Sequence, residues 1–273
     1  MKISYSAGAA LLTASLVSHA QENGLPLWEA GVFGGAASTP AYPGADSRTS
    51  RALVIPYLIY RGEVFRSDRG NIGARVFRTA DLELDVGFAG SLPANAKDTN
   101  ARQGMSDLGT LVEFGPRIKW TLARPSPGNQ LRLELPVRAV LEFNSGINSQ
   151  GVAFEPELIY ETRHIAGGWG LSASGSLVWG DRKLNNYFYG VTPPFASTSR
   201  PAFDAQSGLI ATRLGLSTSK DITPDVRVFG FVRFESYSGA ANLASPLHLA
   251  SSGSSVGIGI AWTLGRSTQP ATN

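Results

Sequence analysis

The chain has 273 residues, with Gly at 31 positions, charged residues at 16% and aromatic residues at 10%. That profile excludes coiled coils, disordered chains and ordinary helical enzymes. A formal charge of +3 is too small for a nucleic-acid footprint, which needs clustered Lys and Arg, so no nucleic-acid partner is expected. The absence of Cys removes disulfides, thiolate nucleophiles, zinc ribbons and iron–sulfur centres together.

Residues 1–20 read as an address. Lys2 gives a basic start, Ile3 to Val17 is apolar or small, and Ser18-His19-Ala20 places small residues at the −3 and −1 positions of a signal-peptidase site. Cleavage there leaves 23 bases against 21 acids in a chain starting at Gln21. Beyond residue 20 no run approaches the roughly 18 uncharged apolar residues of a membrane helix, so any membrane crossing must use strands.

The mature chain alternates with a period of two over most of its length. In chain order the runs are 27–36, 51–61, 70–78, 80–90, 107–121, 129–143, 151–163, 168–180, 206–220, 224–238 and 253–264. The fourth sets Leu82, Leu84, Val86 and Phe88 against Asp81, Glu83 and Asp85. The sixth sets Leu131, Leu133, Leu135, Val137, Ala139, Leu141 and Phe143 against Arg132, Glu134, Pro136, Arg138, Val140 and Glu142, which is strand alternation and not a helical stripe. Short Pro/Gly connectors at 124–128, 164–168 and 221–224 alternate with longer ones at 37–50, 91–106, 181–205 and 239–252.

Short turns on one side and long loops on the other are the pattern of an outer-membrane barrel, and a secreted β-sandwich is the competing reading. Aromatic placement weighs against the sandwich. Trp169 and Trp179 share a face ten residues apart, about 25 Å along a tilted strand, which matches the apolar band between two aromatic girdles. Trp120, Phe143, Tyr160, Tyr237 and Trp262 also fall toward strand ends.

Eleven runs conflict with the even strand number of single-chain barrels. A turn at Arg61-Gly62 followed by a short strand at Glu63–Ser67 repairs the parity. The expectation is therefore an all-β fold, a transmembrane antiparallel up-and-down β-barrel of about twelve strands over residues 21–264, with ten strands as the alternative and a polar tail at 265–273.

Several segments resemble the MltA-interacting protein (MipA/OmpV) family of outer-membrane proteins. They are Ala41-Tyr-Pro-Gly-Ala-Asp46, Arg51-Ala-Leu-Val-Ile-Pro-Tyr-Leu-Ile-Tyr-Arg-Gly62, Ala101-Arg-Gln-Gly-Met-Ser-Asp-Leu108, Asn186-Tyr-Phe-Tyr-Gly-Val-Thr-Pro193, Arg200-Pro-Ala-Phe-Asp-Ala205 and Ser245-Pro-Leu247, in this order over about 28–264. The resemblance implies a barrel in the outer membrane of a Gram-negative cell. It also implies a scaffold that brings a lytic transglycosylase, a murein hydrolase, together with a penicillin-binding protein; other members are discussed as porin-like. No catalytic, cofactor-binding or metal-binding residues come with the family, so none are assigned and no enzyme activity is expected. Two departures stand out: Ala244 precedes Ser-Pro where an acid is expected, and the chain ends on a polar tail and not on an aromatic residue.

Chemistry outside that expectation has few carriers. With His19 in the leader, a metal site would rest on His164 or His248 without a second His at useful spacing. Ser245, His248 and a loop acid such as Asp204 are the residue types of a hydrolase triad. Gly257 and Gly259, with Gly31, Gly34 and Gly35 on the first strand, read as space-makers where the last strand closes on the first.

The lumen side collects Asp81, Glu83, Asp85, Glu113, Arg117, Lys119, Arg132, Glu134, Arg138, Glu142, Glu155, Glu157, Arg227, Arg233 and Glu235. Such mixed charges either pair and plug the lumen or line an aqueous channel. The segment Asp181–Tyr189 is either a recognition loop or a loop folded into the lumen.

Overall fold

In a computed structural model the described residues are 25–62, 65–66, 73–91, 93–144, 146–165 and 167–271. The expected leader at 1–20 lies outside them. The strands are β1 (Trp28–Pro40), β2 (Arg48–Tyr60), β3 (Phe65–Arg66), β4 (Gly73–Arg78), β5 (Leu82–Ser91), β6 (Thr110–Ala123), β7 (Asn129–Phe143), β8 (Ile147–Phe154), β9 (Glu157–Ile165), β10 (Trp169–Gly180), β11 (Gly208–Asp221), β12 (Val226–Ser236) and β13 (Ser252–Arg266), with one helix, α1 (Arg182–Tyr189), after β10.

All the pairings are antiparallel, and the order β2-β1-β13-β12-β11-β10-β8-β7-β6-β5-β4-β3 follows the chain round a barrel. The last strand lies on the first, with Val32 opposite Trp262 and Ala36 opposite Ile258. The ends of the order, β2 and β3, are consecutive in sequence, and among the described residues no ladder joins them. The short β3 is the extra strand that parity demanded.

Thirteen segments make twelve barrel strands, because β8 and β9 share one place: β8 pairs with Val137–Phe143 of β7 and β9 with Asn129–Glu134. The sequence pattern reads this stretch as a single run, 151–163. It is broken at Glu155-Pro156, opposite Pro136 of β7, where two residues without an N–H interrupt the ladder.

The outward face is apolar. Val54, Leu58, Val76, Leu214, Ile258 and Leu264 are each at least 62% exposed, a surface that water would not tolerate and acyl chains do. Trp28, Tyr60, Trp120, Tyr160 and Trp262 ring the short-turn end, while Phe114, Phe143, Phe154 and Phe234 ring the long-loop end. Among the described residues no helix is long and apolar enough to cross a membrane.

Tyr237 does not belong to the girdle. It is fully buried in the long-loop mouth, with its hydroxyl donating to Glu235 Oε2 at 2.8 Å. At the C-terminal end β13 runs on to Arg266, and residues 267–271 pair with 25–28 through Leu27 N to Gln269 O and Ala271 N to Leu25 O. Both ends of the described chain thus meet at the short-turn side.

Candidate functional site: a charged lumen under a loop plug

Inward positions on neighbouring strands bring opposite charges together. On the short-turn half, Asp85 faces Arg117 and Glu83 faces Lys119 across β5 and β6. Arg117 forks onto Asp85, Nε at 3.0 Å and Nη2 at 2.8 Å, and reaches Glu134 Oε2 at 3.2 Å. Lys119 bridges Glu83 at 3.0 Å and Asp85 at 2.7 Å. Arg132 then links Glu134 at 2.8 Å with Glu161 at 3.0 Å. The side chains of Arg117, Asp85 and Glu134 are each only 6% exposed, so the centre of this chain of pairs is buried.

A second chain lies nearer the long loops. Arg138 joins Glu113 and Glu155, and Arg213 joins Glu155 at 2.8 Å and Glu235 at 2.6 Å, with Arg233 at 3.4 Å from Glu235. Each arginine shared by two carboxylates balances charge that would be costly to leave unpaired where it is largely buried.

Two lumen partners, Arg213 and Glu161, escape the sequence reading because their strands alternate weakly. Asp81, expected on the lumen side, instead lies in the turn between β4 and β5, where its half-exposed carboxylate pairs with Arg124.

The opposite wall is built of glycines and rings. A Cβ on Gly259 would stand 2.5 Å from the Phe229 ring and 2.7 Å from that of Phe33, and one on Gly257 would stand 2.3 Å from Phe231. Phe33 and Phe229 stack with centroids 5.0 Å apart. Gly31, Gly35, Gly257 and Gly259 therefore make room for lumen side chains and close strand approach. Gly34 does not: its added Cβ would point outward toward Val54 and Ile260.

The long loops close the upper mouth. Asp181 caps α1 by accepting from Leu184 N at 2.8 Å, and the helix turns Leu184, Asn185 and Tyr189 into the barrel. Tyr187 donates to Glu142 at 2.9 Å, and Asn185 accepts from Asn242 at 2.9 Å. Buried Arg102 donates to Phe188 O at 3.1 Å and lies over the Tyr42 ring, while Arg200 donates to Ala101 O and Gln103 O, both at 2.9 Å. Tyr42, Leu108, Val140, Leu184, Tyr189 and Leu247 form one apolar cluster. Burial pushes the Tyr42 hydroxyl up to about 12 and holds the His248 imidazole below its usual range. Of the two readings of Asp181–Tyr189, the loop folded into the lumen is the one observed.

Ser245, His248 and Asp204 are not brought together as a triad. The Ser245 hydroxyl donates to Tyr189 O at 2.7 Å and shapes a turn by accepting from Leu247 N. The His248 ring nitrogens have no hydrogen-bond partner, and the ring packs between Tyr189 and Tyr237. Asp204 is exposed and held by Arg182 and Asn186. The His164 side chain lies outside the described residues. Among the described residues no group of three His, Cys, Asp or Glu could hold a metal ion.

The fold defines a transmembrane β-barrel whose inner face carries paired charges and whose long loops fold into one mouth. A family model described as "MltA-interacting protein MipA" matches residues 32–264, and the chain belongs to that family. Among curated proteins no sequence matches. Solved structures similar to this chain include the outer membrane phospholipase A from Escherichia coli, at 11% identity, 93% of this chain, 97% of that one and a TM-score of 0.38. An outer membrane channel from Pseudomonas putida F1 is similar at 11% identity, 91% and 100% coverage and a TM-score of 0.41. The NanC porin is similar at 10% identity, 86% and 100% coverage and a TM-score of 0.40.

Proposed function

We propose that the protein is a non-enzymatic, non-conducting barrel of the outer membrane, exported behind a cleaved leader at 1–20, that acts as a scaffold linking a peptidoglycan lytic transglycosylase to a peptidoglycan synthase. The observation that supports a scaffold over a porin-like channel is the pairing of the inner charges in the Asp85–Arg117–Glu134–Arg132–Glu161 chain, with the loop cluster folded into the mouth above it. The apolar belt and its two aromatic rings support the membrane location. With short turns on the periplasmic side, the partners are met by the turns at 79–81, 124–128 and 222–225.

The test is paired. Mature protein refolded into planar bilayers, with folding verified by the heat-dependent gel shift, is expected to give no conductance steps. The same protein, immobilised, is expected to retain a murein hydrolase and a penicillin-binding protein from a detergent extract. Steady ion-selective conductance that responds to Arg138→Glu would make it a channel instead.

A further inference from the structure

We infer that the short-turn mouth holds a binding cleft for a peptide carboxylate. This deepens the scaffold reading and rests on it only for the side from which a partner arrives. A cleft of about 530 Å³, the size of a small-ligand site, opens between the β6–β7 turn and the end of β9, lined by Arg124, Pro125, Pro127, Asn129, Gln130 and Arg163.

Two of these side chains are left wanting. Arg163 makes no ion pair or side-chain hydrogen bond with any described residue; its acidic neighbour on the same strand face, Glu161, is held by Arg132 and Gln130. Arg124 is engaged by Asp81 and by Ala80 O. Asn129 donates through Nδ2 to Ser126 Oγ at 2.8 Å, but its Oδ1 is out of contact with solvent and accepts nothing.

A guanidinium asks for a carboxylate, and a buried amide oxygen asks for an N–H. A peptide carries both on one short piece of backbone, and Pro125 and Pro127 offer it an apolar edge. A single free cation matches a single negative charge, and the carboxylates of Asp81 and Glu161 nearby disfavour a doubly charged phosphate.

The wall is also rigid. Two prolines, Gly128 at φ +80°, Asn129 N bonded to Ser126 O at 3.0 Å and Arg163 N bonded to Gly128 O at 3.1 Å fix the turn before any ligand arrives. Little ordering cost is then left to binding.

Calorimetric titration of the refolded full barrel in detergent at low salt tests this with three peptides: acetyl-Ala-Ala-Ala with a free terminus, its amide, and amidated acetyl-Ala-Glu-Ala. The free acid is expected to bind at least about tenfold tighter than the amide, a difference of about 1.4 kcal/mol. A similar gain for the Glu peptide would identify a side-chain carboxylate as an equally good source.

Arg163→Gln is expected to abolish the preference, Asn129→Asp to reverse it by repulsion, and Arg163→Lys to keep part of it, each with the folded gel shift retained. Equal binding of acid and amide, no binding of either to the folded barrel, or a full preference surviving in Arg163→Gln would overturn the inference. Loss of the peptide site with partner capture intact would sink the cleft alone. Intact peptide binding without partner capture would sink the scaffold alone.

Discussion

The waist of the lumen and its upper mouth both bury polar and apolar side chains, but by opposite chemistry. In the waist the ladder itself sets the pairs: Asp85 stands opposite Arg117, Glu83 opposite Lys119 and Arg213 opposite Glu235, so adjacent strands deliver complementary charges to one level. The mouth has no ladder to use. Its parts come from four loops far apart in sequence, and they are held by apolar contact and by arginines that capture backbone carbonyls, Arg102 at Phe188 and Arg200 at Ala101. The two regions therefore open in different ways. Waist pairs separate only when strands do, whereas loop contacts can open locally while the barrel stays intact.

Arg117→Met tests the waist most severely. Among the described residues it leaves Glu134 with Arg132 and Asp85 with Lys119 as the remaining ion-pair partners, in an interior where removing one partner of a buried pair costs about 3–5 kcal/mol. The urea midpoint of the folded barrel is expected to fall accordingly. Asp81→Asn, which breaks a pair whose side chains are 51% and 56% exposed, is the control and is expected to cost less than about 1 kcal/mol. Equal shifts would mean that the waist pairs contribute no more than surface ones.

Leu247→Ala sharpens the contrast from the other side. Leu247 is fully buried in the mouth, so its truncation removes about 2–5 kcal/mol of packing. That loss is expected to appear as faster amide exchange in 182–189 and 237–251 with the urea midpoint nearly unchanged. A midpoint shift as large as that of Arg117→Met would make the mouth part of the barrel's global stability.

Strands were legible because a barrel wall in lipid enforces alternation residue by residue, as along Leu131–Phe143. Parity alone located β3, whose own two residues carry no pattern. The break at Pro156 was hidden because the inside/outside rhythm continues across it from Ala153 to Ile159. The lumen charges were visible as a set, but their partners required register: nothing in the sequence says that Glu155 is shared by Arg138 and Arg213. The plug was least legible, since α1 is a single eight-residue helix with one local sign, the Asp181 cap, and Tyr237 reads as a girdle aromatic until the loops are seen folded over it.

The smallest expected effect concerns His248, whose ring stands between Tyr189 and Tyr237 and packs against Gly44, with Tyr42 bonded to the neighbouring Leu247 O and Glu235 accepting from Tyr237. Burial lowers its pKa, so the closed mouth favours the neutral imidazole and the opened mouth binds the proton more readily. The contribution of this group to closure is therefore complete above an ordinary imidazole pKa, near 6.5, and is lost as pH falls through the lowered value. Tyrosine faces beside the ring offset part of that loss by attracting the imidazolium. Amide exchange in 237–251, corrected for its intrinsic pH dependence, is expected to speed up between pH 7.5 and pH 5 by less than about tenfold, the equivalent of one pKa unit. His248→Phe fills the same space without titrating and is expected to flatten that response while leaving the lumen pairs untouched. A response that persists in His248→Phe would place the sensitivity among the lumen carboxylates, and the mouth and the waist would then be one electrostatic unit and not two.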